Sequence, residues 1–504
     1  VFIEKGDAFK GEGLLLRFNV TGKVKFRLGR GMRRTIGFLV ALVGLFAFGL
    51  AHADWGPDVR LTYNDSISWL CSNNARCIAI DSLGRVHVVW LDNRSGNYEI
   101  YHKRSTDWGN TWGGDTRLTY YQGKSFYPAV AVDGQERVHL VWEKQRGLLR
   151  YEVFYKRSTD GGVTWGSDTL LSEVSEYDPF PAIESEGNRV LIAWYQGDTT
   201  GGGYRITYRR SLDGGVTWEP VRVLGDTVTG RPSMSLGSLG TIHVATSHGQ
   251  YVRSTDFGTT WGRDTVLFSG GGGVPHACLG ADRLCHVHVV WEYQQPNSFL
   301  DVFYKRSSDE GVTWGRDVQM SSTDSLDETY PVIAADDSGY VHFLYGQRGI
   351  YYQRSTDRGL TWGAAISLIP STGRSPHLAV DIRRNVHVVW RDGRDGNGEI
   401  YYKRWDAASG IGEAGEVSRS SKLGLWVESP SKGWFHLRYL LPCSGLIDLK
   451  VFNLLGQEMV CLEQGVKDQG HYILRRPFRL PAGVYFVCLR MDREAVIRKV
   501  VVSK

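Results

Sequence analysis

The sequence predicts an all-β protein: a seven-bladed β-propeller with a split last blade, followed by a small β-sandwich. Three observations carry that reading. A short β-branched run returns seven times. A glycine-centred motif returns six times in register with it. The segment that should complete the seventh unit stands at the front of the domain instead.

The run reads "VHVVW" at 86–90, "VHLVW" at 138–142, "VLIAW" at 190–194, "IHVAT" at 242–246, "VHVVW" at 287–291, "VHFLY" at 341–345 and "VHVVW" at 386–390, at steps of 45 to 54 residues. Its length and β-branched, aromatic content are those of a strand. Before it stands a segment such as "PAVAVD" (128–133) or "PVIAAD" (331–336), and after it "EIYHKRS" (99–105) or "VFYKRSS" (302–308). A fourth segment such as "TWGGDTRLTY" (111–120) closes the unit. The alternation in these segments suits strands. Four short antiparallel strands in a unit of about 50 residues make a propeller blade.

Between the third and fourth strands lies S-x-D-x-G-x-T-W. It occurs as "STDWGNTW" (105–112), "STDGGVTW" (158–165), "SLDGGVTW" (211–218), "STDFGTTW" (254–261), "SSDEGVTW" (307–314) and "STDRGLTW" (355–362). Ser and Asp side chains hold turns by bonding to nearby backbone. The glycine (Gly162 in the second copy) accepts positive φ, and the tryptophan is expected to pack in a hydrophobic layer. Six equivalent copies cannot be one active centre, so Asp107, Asp160, Asp213, Asp256, Asp309 and Asp357 are read as structural. The recurring His87, His139, His243, His288, His342 and His387 are read as a packing and hydrogen-bonding layer; a ring of metal ligands is the sharper alternative. No metal or cofactor is expected.

The motif resembles the Asp-box, or BNR repeat, of the sialidase-like propeller superfamily. That resemblance implies a propeller whose ligands bind on the face away from the boxes. Its sialidases are six-bladed, use clustered arginines, a Tyr/Glu pair and an acidic acid/base residue, and carry an R-I-P segment near the start. This chain has seven predicted blades and no R-I-P; "YRITY" (204–208) is the nearest string. The resemblance therefore carries over the scaffold and not the catalytic residues.

The seventh unit ends at "EIYYKRWD" (399–406), with Trp405 where serine should stand. "WGPDVRLTY" (55–63) matches "WGGDTRLTY" (112–120) at seven of nine positions. The first strand of the domain is thus expected to complete the last blade and leave no open edge.

On the face away from the boxes, three loops are long: 143–152, 195–205 and 292–301. Links between blades bring Tyr127, Phe180 and Tyr330 just before a proline, and Arg76, Arg231 and Arg374 nearby. Arginine suits carboxylates and aromatic faces suit sugar rings, so these six are the candidate ligand-binding residues. The alternative is that they cap the inner strands. Glu143, Asp178, Glu292 and Asp327 are candidate carboxylates for a glycosidase. "DNRSGNYEIY" (92–101) recurs as "DGRDGNGEIY" (392–401). Its Asp395, Asn397 and Glu399 fit a tight hairpin better than calcium.

The chain has 504 residues, 61 of them Gly, with 12% aromatics, which suits many turns and aromatic strands rather than long helices. Its net charge of +5 is misleading: residues 1–53 hold nine Lys/Arg and three Asp/Glu, leaving 50 basic and 51 acidic residues beyond. Nucleic-acid binding has no support in that balance. "MRRTIGFLVALVGLFAFGLAHA" (32–53) has the three-part layout of a secretory signal peptide, with cleavage before Asp54. Residues 1–31 read as an over-extended gene start. No stable membrane span is expected after cleavage. Of seven cysteines, Cys71/Cys77 and Cys278/Cys285 are close enough in sequence to pair locally, and Cys443, Cys461 and Cys488 lie in the tail.

Residues 54–408 make the propeller, 409–422 a small polar linker and 423–504 a second domain. Its "KVFNLLGQE", "LPAGVYFV" and closing "RKVVVSK" resemble the C-terminal sorting domain of type IX secretion cargo. That implies a small β-sandwich, recognition by secretion machinery, and a bacterial protein that is secreted or held at the outer cell surface. The preferred reading is a non-catalytic module binding a glycan or an extracellular protein. The alternative is a secreted glycoside hydrolase, sialidase-like or another exo-glycosidase.

Overall fold

The structure is a computed structural model. It describes residues 15–18, 24–27 and 55–502, except 72–75, 122, 148–149, 174–179, 198–202, 226–227, 269–275, 296–298, 322–325, 371, 408–422, 428–433, 442–444, 455–456, 468–469, 478–480, 482 and 492–493. The leader, the linker, Asp178 and Cys443 lie outside the described residues. The chain divides into two compact units, Val1–Asp54 with Ala408–Gly415, and Trp55–Ala407 with Glu416–Lys504. In the first, Leu15–Phe18 and Val24–Arg27 form an antiparallel hairpin. The second unit holds every other strand.

The protein is all-β. Among the described residues the one helical element is a 3₁₀ turn at Ser238–Gly240, and no helix is long and apolar enough to cross a membrane. From Trp55 to Ala407 the strands form seven antiparallel sheets, numbered here 1 to 7 in chain order. Sheet 2 shows the pattern: Ser125–Val132, Val138–Gln145, Tyr151–Ser158 and Thr169–Leu170 pair in sequence order. Sheets 3 to 6 repeat it, opening with Ala182–Glu186, Pro232–Leu236, Ala277–Ala281 and Thr329–Ala335. Sheet 1 has a fifth strand, because Ser68–Trp69 and Ile78–Ile80 both lie against Val86–Asp92. The first strands touch in chain order, and Gly373–Val380 of sheet 7 returns to Ile78–Ile80 of sheet 1. Such a closed circuit of four-stranded sheets is consistent with a β-propeller. The second strands are the most buried, with Trp90, Trp142, Trp194, Trp291 and Trp390 fully enclosed between sheets.

Sheet 7 takes its fourth strand from the front of the domain. Val59–Arg60 pairs with Glu399–Trp405, and Gly56 N–H donates to the Arg404 carbonyl. The side chains repeat those of sheet 1. There Glu99 accepts from Arg117 and from the Thr119 hydroxyl; here Glu399 accepts from Arg60 and the Thr62 hydroxyl. Asn97 donates to the Tyr121 and Gly123 carbonyls, and Asn397 to those of Asn64 and Ser66. The two related segments tie a fourth strand to a third, and Asp395 meets Arg60 at 3.1 Å.

Each box is a closed hydrogen-bonded turn. In the second copy, Gly162 N–H donates to Ser158 Oγ (2.8 Å), and Asp160 accepts from Ser158 Oγ (2.7 Å), Thr164 N–H (2.9 Å) and Thr164 Oγ1 (2.5 Å). The Thr164 and Ser158 bonds hold the Asp160 carboxyl far below the usual carboxylate range. The residue before the glycine also takes positive φ, at Trp108, Gly161, Gly214, Phe257, Glu310 and Arg358. Two successive left-handed residues turn the chain back on itself.

The boxes also staple neighbouring sheets. The arginine before the serine donates to a box carbonyl of the next sheet: Arg104 to Gly161, Arg157 to Gly214, Arg210 to Phe257, Arg253 to Glu310, Arg306 to Arg358 and Arg404 to Trp108. Each box tryptophan stands edge-on to a ring of the preceding sheet, as Trp218 does to Tyr155 at 4.8 Å and Trp112 to Tyr402 at 4.8 Å. The expected hydrophobic layer is thus a half-buried seam between sheets. Sheet 7 has no box, and Trp55 fills the role against Tyr352 at 4.9 Å.

The recurring histidines lie beneath this seam. His139, His243, His288, His342 and His387 meet Tyr155, Tyr251, Tyr304, Tyr352 and Tyr402 through Nδ1 at 2.7 to 2.8 Å, and His87 meets His102 at 3.1 Å. Burial drives His87, His288 and His342 down to about 3, so they are neutral. They are a hydrogen-bonding layer.

In the C-terminal region, Gly424–Val427, Trp434–Leu441 and Gly470–Pro477 form one sheet, and Glu458–Lys467, Gly445–Asn453, Gly483–Met491 and Glu494–Val502 another. Leu425 and Leu437 from the first and Leu449, Val451 and Val487 from the second belong to one apolar core.

Candidate functional site

The strand direction fixes where a site can form. The boxes join third to fourth strands, so the starts of the first strands lie at the opposite ends of the sheets. All six candidate ligand residues fall at those starts. Tyr127, Phe180 and Tyr330 each precede a proline and each take positive φ, at 47°, 61° and 53°; Ser375, before Pro376, does the same at 50°. A left-handed aromatic before proline is a strained backbone. In sheets 2, 6 and 7 it coincides with a β-bulge. A bulge re-aims a side chain out of the regular strand pattern.

Two buried glutamates bind the backbone at two of these positive-φ residues. Glu143 accepts from Phe180 N–H at 3.4 Å. Glu292 accepts from Tyr330 N–H at 2.5 Å and from His276 N–H at 3.1 Å. Asp327 accepts from Leu300 N–H at 3.0 Å. Three of the four candidate glycosidase carboxylates are thus engaged with three different backbone segments, and the fourth, Asp178, lies outside the described residues. Glu143 and Glu292, both buried, support the backbone of the site.

The candidate residues form a continuous arc. Tyr127 meets Phe180 at 4.7 Å between ring centroids. The Arg231 guanidinium lies 4.1 Å from the Phe180 ring centre. Arg231 Nη1 then reaches His276 Nε2 at 3.5 Å, and the His276 ring meets Tyr330 at 4.7 Å. In the other direction Tyr127 leads through Phe126 and Tyr98 to Trp69, and Arg391 lies over Trp69 at 5.2 Å. Arg374 stands opposite Arg391 in register. Arg76 lies inside this arc, reaching Glu184 of sheet 3 at 3.1 Å and Ser235 of sheet 4 at 3.2 Å. Burial raises the Glu184 carboxyl pKa, and Arg76 opposes that rise.

His276 and Arg391 are absent from the sequence-based candidates. His276 stands one residue before Ala277–Ala281, at the repeat position that Tyr127 and Tyr330 occupy in sheets 2 and 6, but no proline follows it to mark that position in the sequence. Glu292 gives it meaning: both carboxylate oxygens lie 3.0 Å from Nδ1. The Nδ1–H therefore donates to Glu292, and Nε2 accepts from Arg231, which fixes the tautomer.

No family model matches the chain. No curated protein matches either. Among solved structures, the Hadza microbial sialidase Hz136 aligns at a TM-score of 0.41 and 17% identity, covering 57% of this chain and 65% of its own. The match thus spans slightly less than two thirds of that sialidase. An α-L-arabinofuranosidase of Fusarium graminearum, in complex with an iminosugar inhibitor, gives 0.45 and 12%, over 70% of this chain and 98% of its own. YCF48 bound to a peptide gives 0.43 and 16%, over 69% and 98%. At such scores the architecture rests on the chain's own strand pairing.

One cysteine cluster lies close by. The Cys71 and Cys77 sulfurs approach to 2.7 Å, both against the Pro128 carbonyl, and His377 Nε2 meets the Cys71 carbonyl at 2.9 Å. These three side chains could offer ligands to one ion. Two zinc-bound thiolates, each about 2.3 Å from the metal, stand roughly 3.8 Å apart in tetrahedral geometry. The closer approach here is that of a thiol pair placed for cross-linking. Cys278 and Cys285 face different neighbours instead: Cys278 lies in Ala277–Ala281 beside Ser233, and the Cys285 sulfur approaches Ser238 Oγ at 3.7 Å. The expected local pair there is not formed.

Proposed function

We propose that the protein is an exported glycan-binding propeller. Its seven sheets are seven blades, the last built from both ends of the domain, and the C-terminal sheets are a β-sandwich that serves as a type IX sorting domain. The observation that carries the binding reading is the arc from Arg391 to Tyr330, in which a run of aromatic rings from Trp69 to Phe180 is flanked by the Arg391 and Arg231 guanidinium groups. Sugar rings stack on aromatic faces through their C–H groups, and arginine forks bind the hydroxyls and carboxylates between them. The aromatic residues are set by strained bulges, so little side-chain freedom is lost on binding. A protein ligand is the alternative occupant. The hydrolase alternative requires two carboxylates facing one pocket; Glu143, Glu292 and Asp327 serve the backbone instead.

A glycan array and a peptide array with the full chain test this reading. Retention of glycans by the native protein, reduced at least tenfold by Tyr127→Ala with an unchanged melting temperature, supports it. Binding to peptides alone refutes it.

A further inference from the structure

We propose that the His276–Tyr330–Arg231 cluster cleaves uronic-acid-containing polysaccharide by β-elimination. This rests on the glycan-binding reading and adds a reaction to it. Among the described residues, the candidate carboxylates Glu143, Glu292 and Asp327 each accept from backbone, which disfavours the paired action that hydrolysis of a glycoside requires. Grouped near the starts of these first strands are a histidine held by Glu292, a tyrosine ring and a guanidinium.

Each group has one task. Glu292 holds the His276 Nδ1–H at 3.0 Å, so the basic nitrogen is Nε2. Arg231, which donates to that nitrogen at 3.5 Å in the unliganded protein, shifts its hydrogen bond to the carboxylate of a bound uronate and so frees the Nε2 lone pair. Its guanidinium is held over the Phe180 ring, which keeps its plane fixed. A carboxylate paired with arginine stabilises negative charge developing on the adjacent carbon. His276 Nε2 then takes the proton from C5, the carbon bearing that carboxylate. The C5–H electrons form the C4=C5 double bond, and the C4–O4 bond breaks. Tyr330, whose ring lies 4.7 Å from that of His276, gives its hydroxyl proton to the departing O4. The proton on His276 returns to the tyrosinate through solvent. No water is consumed, nothing is oxidised or reduced, and no metal is required. The products are a chain with a new reducing end and a chain ending in a 4,5-unsaturated uronate. General acid–base groups in such positions each contribute about 10²–10⁴-fold.

The test incubates the full chain with polygalacturonate, alginate, hyaluronan and chondroitin, with dextran as the neutral control. Binding is read by affinity electrophoresis, elimination by the ultraviolet absorbance of the unsaturated uronate, and hydrolysis by reducing ends formed without that absorbance. The expected result is absorbance with at least one uronate polymer and none with dextran. His276→Ala and Tyr330→Phe should each lower the rate 100-fold or more, and Tyr330→Phe, which keeps the ring of the arc, should change binding less than threefold. Tyr330→Phe removes only a hydroxyl, so it keeps the test sound should His276→Ala fail to fold. Uronate binding with no absorbance overturns the elimination and leaves the glycan-binding reading standing. Reducing ends without absorbance also overturn it, in favour of hydrolysis. Activity that survives both substitutions overturns the assignment of the residues. Failure to bind any glycan overturns the binding reading and the elimination together.

Discussion

Asp160 is an exposed carboxylate whose partners all lie within its own turn: the Thr164 amide and hydroxyl, the Val163 amide and the Ser158 hydroxyl. Asp160→Ala leaves those donors to water and should cost about 1 kcal/mol, seen in chemical denaturation, with ligand affinity unchanged. The buried histidines give a pH dependence of definite sign. His87, His288 and His342 have folded-state values near 3 against about 6.5 in an unfolded chain. As pH falls below 6.5 the unfolded state takes up protons first, so stability declines between about 6.5 and 3, each group contributing up to ~1.4 kcal/mol per pH unit. Urea midpoints should fall from pH 7 to pH 4.5, and His342→Gln should flatten that slope. A midpoint independent of pH would show these groups to be charged in the fold. The histidine layer was legible because the residue recurs at one strand position. Its tyrosine partners were hidden in plain sight, in the "YKRS" run two residues before each arginine. Only the register between the second and third strands brings the two rings together.

At the scale of elements, closure depends on a single short strand. Trp55 stands against Tyr352, and Val59–Arg60 pairs with Glu399–Trp405. Trp55→Ala should destabilise the domain by about 2 kcal/mol, roughly half the cost of a wholly buried tryptophan, and should raise the proteolysis of sheet 7 before that of sheet 3. Trp55→Phe should recover most of the loss. The arginine staples give a second check. Arg306 donates to the Arg358 carbonyl at 2.7 Å, and Arg306→Ala should cost about 1.5–3 kcal/mol as a lost charged hydrogen bond, measured as a lowered denaturant midpoint. The split strand could be read from sequence because seven residues of one copy recur in another. The staples could not. Arginine before serine looks like a solvated strand end until the next sheet places a backbone carbonyl in front of it. The bulges were equally hidden: an aromatic before proline signals extended backbone, whereas positive φ is found there, with Glu143 and Glu292 bonded to the Phe180 and Tyr330 amides.

Across the whole molecule, charge separates stability from binding. Most half-buried arginines of the ring meet a carboxylate or a carbonyl. Arg374 and Arg391 instead face each other across neighbouring strands, and neither forms an ion pair with the described residues. Like charges directly opposed on a sheet are destabilising, and burial together with Arg374 lowers the pKa of Arg391. A fold under no other demand gains by losing one of them. An anionic ligand reverses the balance, because it relieves the repulsion as it binds. Arg391→Gln should therefore leave the melting temperature unchanged or raise it slightly, while affinity for a polyanionic glycan falls about tenfold. Native affinity should decline as ionic strength rises from 0.05 to 0.5 M, since the Debye length shrinks from about 14 Å to about 4 Å, and the variant should decline less steeply. Calorimetry and affinity electrophoresis on the two proteins measure both quantities. A lowered melting temperature in the variant would mean that the pair supports the fold, and the arc would then lose its anionic end.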